Sequence, residues 1–269
     1  MTLHFLSGLP RTGTTLLSCI LNQNPLVYAT STSGLLDFLS GVDFVYNEIQ
    51  KRSTDRNEKQ VENIFRAIVS SYYSHIDCPV VIDKWRGWMN NIPQINDIIS
   101  ADPKIICTYR PIEEIVVSFL TLLEKDPNNF VDYELKKLGK EINNKNRSLY
   151  LWNEGVVGES YSFFETSLRY DCCLYLSYKN LIEEPKETLE KIYKYLHVDN
   201  YDHDFANINS SVTDDDQYWG IKNLHSIRNV IEYKSTPPEK YLDDSLLNYF
   251  KQYNRLFDHA QAQNSTRNL

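Results

Sequence analysis

Short runs of consecutive apolar residues, each bounded by polar or turn-forming residues, recur along the chain. Four of them, at residues 3–6, 80–83, 104–109 and 172–177, are nearly continuous in apolar character. A run without polar alternation is typical of a strand that is buried on both faces. We therefore predict four short strands in the interior of a sheet.

Between these runs, apolar residues return every three or four positions, which is the spacing of one helix face. This pattern covers residues 61–72, 112–123 and 181–196, and a last helix is predicted over residues 239–257. Strands that alternate with helices favour a parallel sheet with right-handed crossovers. The predicted fold class is therefore α/β, with a central parallel sheet between two helical layers.

Residues 128–170 break this alternation, because they are polar and lysine-rich at first and then aromatic. We interpret them as a lid-like helical insert laid over the sheet. Residues 260–269 are polar and are predicted to be a frayed tail. The acidic run at residues 214–216 is expected to be a solvated loop. The chain has no internal repeat and no long linker, so residues 1–269 are predicted to form a single domain.

The overall charge restricts the partners that this protein can bind. The formal net charge is −8, which makes general binding of nucleic acid or of anionic membranes unfavourable, and we expect neither partner. Any anion site must therefore be made positive by particular arginine and lysine side chains. The five cysteines form no C-x-x-C pair, the first residues do not resemble a signal peptide, and no stretch reaches the ~20 apolar residues of a membrane span. We expect a soluble, cytoplasmic protein.

A glycine-containing segment directly follows the first predicted strand. Residues 8–17 read Gly-Leu-Pro-Arg-Thr-Gly-Thr-Thr-Leu-Leu, and a helical pattern begins at Thr15. A strand, a tight glycine turn and a helix form a phosphate cradle, because backbone N–H groups and the positive helix end are directed to one point. The lysine of a Walker loop is missing, since Thr14 follows Gly13, and the cation is Arg11. The loop is predicted to hold a phosphate-like group, but not as an ordinary ATPase does.

A second cation lies at the end of the predicted strand 104–109. Arg110 follows that strand, and Ser118 comes eight residues later in the next helix. Ligands of open α/β sheets bind beyond the carboxyl ends of the strands, where a guanidinium can hold a phosphate through two hydrogen bonds. The alternative is an ordinary ion pair of Arg110 with Glu113 or Glu114. Two phosphate sites on neighbouring strands indicate a nucleotide with phosphates at both ends of its ribose.

Together these motifs resemble the sulfotransferases that use 3'-phosphoadenosine 5'-phosphosulfate (PAPS). The P-[KR]-[ST]-G-T-T loop of that family, which holds the 5'-phosphosulfate, matches residues 10–15. Its Arg-x7-Ser element, which binds the 3'-phosphate, matches Arg110 and Ser118, and its Y-x-[DN]-L element matches residues 178–181. Order and spacing agree over roughly residues 3–196. The opening residues are most similar to the Golgi-type branch, which includes the tyrosylprotein sulfotransferases, although we expect no membrane anchor here.

The resemblance implies a P-loop-like fold and transfer of a sulfuryl group from PAPS to a hydroxyl or amine acceptor. The second product is adenosine 3',5'-bisphosphate (PAP), and no metal is required. The acceptor stays open among small molecules, carbohydrates and peptides, and so does the oligomeric state. The residues that the resemblance assigns to nucleotide binding are Pro10, Arg11, Thr12, Gly13, Thr14, Thr15, Arg110, Ser118, Tyr178 and Lys234.

Two cations are the candidates for charge stabilisation during the transfer. Arg11 is expected to face the bridging oxygen on which negative charge builds as the S–O bond breaks. Lys84, after the strand 80–83, matches a lysine of the family that contacts the transferring group. The aromatic residues that are expected to line an acceptor pocket or to pack in the core are Trp85, Trp88, Trp152, Tyr161 and Phe164.

The general base is not identified by the resemblance. Arg86 stands where cytosolic members often carry a histidine, and residues 30–33 contain no carboxylate where the tyrosylprotein branch has a glutamate. The nearest carboxylates, Asp37 and Asp83, are the candidate bases for an acceptor hydroxyl. His225 is interpreted as an ordinary surface or core histidine.

Two other functions are compatible with parts of the sequence. A P-loop nucleotide or small-molecule kinase would use residues 80–83 as a Walker B strand whose Asp83 holds magnesium. Such a kinase has no obvious role for Arg110 and Ser118, and it would depend on magnesium. A non-catalytic nucleotide-binding module is the third interpretation, and turnover with a panel of acceptors would exclude it.

Overall fold

The computed structural model of the chain describes residues 1–52, 58–99, 103–210, 212, 214–232 and 236–266. Its centre is a sheet of five parallel strands in the order β2-β3-β1-β4-β5. The strands are β1 (Thr2–Gly8), β2 (Val27–Ala29), β3 (Val80–Lys84), β4 (Ile105–Tyr109) and β5 (Cys173–Ser177). The predicted fold class, α/β with a central parallel sheet, is confirmed.

Helices pack against both faces of the sheet, because neighbouring residues of a strand point to opposite sides. Phe5 of β1 belongs to one buried apolar cluster and Leu6 to a second one. The longer helices are α1 (Thr14–Leu21), α2 (Leu35–Gln50), α3 (Glu58–Tyr72), α5 (Ile112–Leu123), α6 (Phe130–Lys137), α7 (Asn144–Asn153), α8 (Val156–Ser167), α9 (Tyr178–Glu183), α10 (Pro185–Leu196), α11 (Asp244–Lys251) and α12 (Arg255–Thr266), and α4 (Ile92–Gln94) is a single turn. The region predicted as a helical insert contains α6, α7 and α8, and its action as a lid stays a prediction.

The structure contains one strand that was not predicted, and it divides one predicted helix into two. The strand β2 was not predicted, because three residues at the edge of the sheet are too short to show a pattern. The predicted helix 181–196 consists of α9 and α10, which meet at Glu184 with φ −130°. Pro185 explains the break, because the ring of a proline disfavours helical backbone in the preceding residue.

The C-terminal prediction was wrong in two respects. Residues 239–257 do not form one helix, since Asp243 begins α11 by accepting a hydrogen bond from the N–H of Leu246. Residues 260–266 are not frayed but form the last turns of α12. The side-chain amide of Asn264 pairs with both the N–H and the C=O of Tyr175 in the edge strand β5. A polar residue therefore fixes the end of the chain through the sheet edge, which a pattern of apolar residues cannot reveal.

Removal of this amide provides a test of the docked C-terminal helix. We expect Asn264→Ala to lower the free energy of unfolding by about 1–3 kcal/mol, because two hydrogen bonds to an edge strand are lost. Denaturant unfolding measures the change. The matched control is Ser265→Ala on the same helix, whose hydroxyl bonds only to the C=O of Gln261 within that helix, and it should cost less than the Asn264 variant. Equal stability of the Asn264 variant and the wild type would contradict the docking.

Candidate active site

The loop between β1 and α1 is built by two glycines for which no other residue substitutes easily. A Cβ atom on Gly8 would lie 2.6 Å from the carbonyl oxygen of Thr108, so glycine permits the close approach of β1 and β4. Gly13 has φ +81° and precedes α1 without any side-chain cap. The first hydrogen bond of α1 runs from the N–H of Leu17 to the C=O of Gly13. The N–H groups before it are the orphan donors of the first turn, which makes this end of the helix an anion site.

Thr12 holds this loop in place from inside the protein. Its fully buried hydroxyl donates to the C=O of Leu9 at 2.6 Å and lies 2.6 Å from the hydroxyl of Thr108 in β4. Pro10, Arg11, Gly13, Thr14 and Thr15 line the adjoining cleft, whereas Thr12 does not. The side chain of Thr12 therefore shapes the loop, and its contact with the nucleotide stays a prediction.

The predicted residues of the two phosphate sites meet in space although up to 107 positions separate them along the chain. Nε of Arg11 donates to the hydroxyl of Ser118 at 3.1 Å. The guanidinium of Arg110 lies 4.5 Å from the ring centroid of Tyr178, and its Nη1 is 3.5 Å from the C=O of Arg11. Four residues from four separate segments thus converge at the carboxyl ends of β1, β4 and β5.

Arg110 also forms an ion pair with Glu114, which is one of the two carboxylates considered as its alternative partners. Its Nε lies 2.8 Å from a carboxylate oxygen of Glu114. The pair is not an ordinary surface contact, since Arg110 is only 7% exposed and lines the cleft. Nη2 of Arg110 has no hydrogen-bond partner in the part of the chain that the structure describes. The protein therefore holds Nε and Nη1, and Nη2 is left to bind an anion.

Lys84 and Arg86 add positive charge at the end of β3. Nζ of Lys84 donates to the hydroxyl of Thr15 at 3.1 Å, which places the lysine beside the glycine loop. Burial lowers the pKa of Lys84 to about 8; repulsion from Arg86 acts in the same direction, and Asp214 opposes both. Burial likewise lowers the pKa of Arg11 to about 10, with a smaller contribution from Arg110. Of these four cations, only Arg110 has a carboxylate within salt-bridge distance among the described residues.

All four cations line one cleft of about 1670 Å³. Its second wall comes from the insert, where α7 and α8 contribute Trp152 and Glu159. Trp85 and Trp152 of the predicted aromatic group line the cleft, whereas Trp88 and Phe164 are fully buried in the core. The cleft therefore has a positive floor next to an aromatic wall, in a protein whose overall charge is negative.

The structure places neither predicted base in this cleft. Asp37 is exposed on α2 and borders a separate apolar depression with Phe38. Asp83 is fully buried, and its carboxylate accepts hydrogen bonds from Ser33, Tyr73 and Trp88. Burial raises the pKa of Asp83, although these three donors oppose the shift. A carboxylate that is enclosed in this way cannot reach an acceptor or a magnesium ion, which argues against its role as base and against the Walker B interpretation.

A segment without regular secondary structure, residues 214–232, covers the cleft, and we call it the covering segment. Its acidic start is not the solvated loop that was expected. Both carboxylate oxygens of Asp214 are buried and lack a hydrogen-bond partner among the described residues. Asp216 lies 2.8 Å from Nδ1 of His225, and the C=O of Leu224 accepts a hydrogen bond from Nη1 of Arg11. The predicted nucleotide contact Lys234 lies outside the described residues.

No sequence pattern marks His225 as part of the site, because its partner Asp216 is nine positions away in a segment without periodicity. The structure shows that His225 lines the cleft next to the arginines of the two strand ends. Only the folding of the covering segment over the sheet creates this arrangement.

The fold is an α/β sheet of parallel strands, and a cleft lined by the glycine loop and four cations lies at its carboxyl edge. A model of the sulfotransferase family matches residues 5–203, which include every described residue of the predicted nucleotide loop and of the Arg110 element. The chain therefore belongs to the sulfotransferase family. No curated protein matches the sequence significantly.

Solved structures of sulfotransferases share the fold at low sequence identity. Mouse sulfotransferase SULT7A1 complexed with PAP is 14% identical with a TM-score of 0.53, and the match covers 98% of this chain and 88% of that chain. The sulfotransferase domain from the Synechococcus PCC 7002 olefin synthase is 19% identical with a TM-score of 0.50, over 95% and 94% of the two chains. The sulfotransferase domain from the curacin biosynthetic pathway is 17% identical with a TM-score of 0.50, over 99% and 96%. Similarity at this level establishes the fold alone.

Two features are absent from the described residues. No helix among them combines the length and the apolar character needed to cross a membrane. No group of three or more His, Cys, Asp or Glu side chains in the described ranges is arranged to hold a metal ion.

Proposed function

We propose that this protein transfers a sulfuryl group from PAPS to a hydroxyl or amine acceptor and releases PAP. The observation that carries the proposal is the convergence of Arg11, Arg110, Ser118 and Tyr178 at the ends of three adjacent strands. A single phosphate needs only the glycine loop. A second guanidinium beside an aromatic ring fits a nucleotide with a further phosphate on its ribose.

The residues of the cleft fit such a nucleotide on chemical grounds. The uncapped start of α1 supplies N–H donors for the 5'-phosphosulfate. Nη2 of Arg110 and the hydroxyl of Ser118 are suited to the 3'-phosphate, and this arrangement would detach Ser118 from Arg11. The nucleotide is therefore expected to replace contacts that the protein now makes with itself.

The chemistry of the transfer needs positive charge where the leaving group becomes anionic. Arg11 is part of the glycine loop, and Lys84 contacts the loop at Thr15. Fixed cations of this kind stabilise the developing charge without reorganisation during the reaction, and they are effective because the site is shielded from water. The aromatic wall with Trp85 and Trp152 is the proposed acceptor side. Small-molecule, carbohydrate and peptide acceptors all stay candidates.

Calorimetry tests the nucleotide class directly. We expect PAP to bind more tightly than ATP, and turnover of PAPS with a panel of phenols, sugars and tyrosine peptides to continue in the presence of EDTA. Tighter binding of ATP, or transfer that stops when magnesium is chelated, would favour the kinase. PAP binding without turnover on any acceptor would leave a nucleotide-binding module.

The charge of Lys84 gives the proposed reaction a characteristic pH dependence. Lys84 is protonated below its pKa of about 8 and neutral above it. If the positive charge is used, kcat/KM for PAPS must fall as the pH rises through about 8. The bound nucleotide is anionic and favours the charged ammonium, so the corresponding fall in kcat should occur at higher pH. Initial rates with radiolabelled PAPS measure both profiles.

The control for this profile is Lys84→Arg, because a guanidinium keeps its charge throughout this pH range. The alkaline fall should disappear from kcat/KM of that variant, whatever its absolute rate. An alkaline fall of the same midpoint in the variant would show that another group is responsible.

A further inference from the structure

The covering segment holds a histidine and a carboxylate in a fixed pair. Nδ1 of His225 lies 2.8 Å from Oδ1 of Asp216, and the backbone N–H of His225 donates to the same carboxylate at 3.2 Å. The side chain of His225 is only 17% exposed, and its ring lies edge to face with Trp219 at 6.3 Å between centroids. Carboxylate, backbone and indole together leave the ring little freedom to turn.

This arrangement determines which ring nitrogen can accept a proton. A neutral imidazole that is bonded to a carboxylate through Nδ1 carries its hydrogen there, so the lone pair is on Nε2. Nε2 has no hydrogen-bond partner among the described residues, and His225 lines the cleft. The pair therefore presents an acceptor nitrogen to whatever the cleft binds.

His225 lies between the side of the cleft that we assign to the sulfuryl donor PAPS and the side that we assign to the acceptor substrate. On one side, the preceding residue Leu224 accepts a hydrogen bond from the guanidinium of Arg11, which we place beside the leaving group. On the other side, Trp219 lies 6.4 Å from Trp85, which directly follows Lys84. The acceptor atom has to lie between these two sides for in-line transfer. Asp216 is the carboxylate bonded to the ring, and the charged side chains that line the same cleft as His225 include Arg11, Lys84, Arg86, Arg110, Glu159 and Arg228.

We propose that His225 is the general base that takes the proton of the acceptor and that Asp216 positions its ring. This inference rests on the proposed sulfuryl transfer and supplies the base that Asp37 and Asp83 cannot provide. The acceptor O–H bond breaks as its proton moves to Nε2 of His225, and the acceptor oxygen forms a new bond to sulfur. The bond from sulfur to the 5'-phosphate oxygen breaks, and its electron pair stays on the phosphate of PAP. The imidazolium, stabilised by Asp216, later returns its proton to water.

Two acceptors that differ mainly in acidity separate a base from a structural residue. Phenol, like a tyrosine side chain, has a pKa of about 10 and keeps its proton at mildly alkaline pH. 4-Nitrophenol is far more acidic and is largely ionised there, so it needs no base. We expect His225→Ala to lower kcat with phenol about 10²-fold and kcat with 4-nitrophenol less than tenfold. Added imidazole should restore part of the rate with phenol.

The matched control is His75→Ala, which removes an exposed histidine outside the cleft and should change neither rate. The conservative variant Asp216→Asn should lower the rate with phenol on the order of tenfold, because the ring loses the partner that fixes its tautomer. PAP affinity should stay within about twofold in all three variants, which shows that the nucleotide site is intact.

Glu159→Gln tests the carboxylate that lines the opposite wall, and it should retain most of the rate with phenol.

Several results would overturn the assignment. Equal losses with phenol and 4-nitrophenol, or a selective loss with phenol in Glu159→Gln, would assign His225 a structural role. Nitrogen NMR of the ring needs no acceptor, and a neutral ring protonated on Nε2 would contradict the mechanism. If the wild type binds PAP but transfers sulfuryl groups to no acceptor, the proposed function fails. If transfer occurs and His225→Ala retains the full rate with phenol, only the base assignment fails.

Discussion

We expect Arg11→Ala to lower kcat for sulfuryl transfer about 10²–10³-fold, with a smaller loss of PAP affinity. The physical reason is the place of Arg11 in the glycine loop, where its charge faces a group that becomes more negative as the reaction proceeds. The bound nucleotide gains less from that charge than the transition state does. A residue of this kind therefore affects kcat more than binding.

The lowered pKa of Arg11, about 10, does not weaken this prediction, because the guanidinium is still protonated at neutral pH. Burial, which is the main cause of the lowered pKa, already removes part of the charge of Arg11 from water, and Arg110 is close by. A charge that is desolvated before the substrate arrives acts more strongly on a neighbouring anion than one in bulk solvent.

Arg11→Lys is the matched control for this experiment. Arg11 has φ +61°, a left-handed conformation that is strained for any side chain, so alanine and lysine face the same backbone requirement. Lysine keeps the charge and should retain more than a tenth of the wild-type kcat. Single-turnover rates with PAPS, together with PAP affinity from calorimetry, separate chemistry from binding. Wild-type turnover of the alanine variant would remove Arg11 from the mechanism.

Much of the nucleotide site could be predicted from the sequence because it depends on local geometry. A glycine turn between a strand and a helix has one dominant conformation, and parallel strands bring their carboxyl ends to the same edge. Arg11 and Arg110 were therefore expected to be neighbours before any coordinates were known, and the structure brings them to within 3.5 Å. The four predicted strands lie in the sheet, because a short continuous apolar run is typical of a strand that is buried on both faces.

The acceptor side could not be predicted in this way, because it is formed by segments without periodicity. Asp83 is an acidic residue, yet it lies fully buried. Its carboxylate accepts hydrogen bonds from Ser33, Tyr73 and Trp88, which belong to different parts of the chain. The pairing of His225 with Asp216 depends on the path of the covering segment. Such polar contacts are fixed by tertiary structure, and no local rule anticipates them.

The affinity for the 3'-phosphate provides the second large effect. We expect Arg110→Ala to weaken PAP binding roughly 10²-fold and to leave the binding of adenosine 5'-monophosphate, which lacks that phosphate, nearly unchanged. A charged hydrogen bond contributes about 1.5–3 kcal/mol, and a guanidinium edge can form two of them. Calorimetry with both nucleotides, in the same buffer and at the same ionic strength, measures the difference.

A loss of PAP affinity in Arg110→Ala has a second explanation besides the lost contact with the 3'-phosphate. Removal of Arg110 also leaves Glu114 without its partner, and the freed carboxylate could repel any phosphate nearby. Glu114→Gln removes that charge while it keeps Arg110, and it should bind PAP as well as the wild type. The double variant, Arg110→Ala with Glu114→Gln, should still lose most of the affinity for PAP. If the double variant instead regains wild-type affinity, repulsion by Glu114 is the cause and Arg110 does not hold the 3'-phosphate. Equal losses for both nucleotides would likewise place Arg110 at the 5' end of the ligand, because only contacts with the 3'-phosphate distinguish the two.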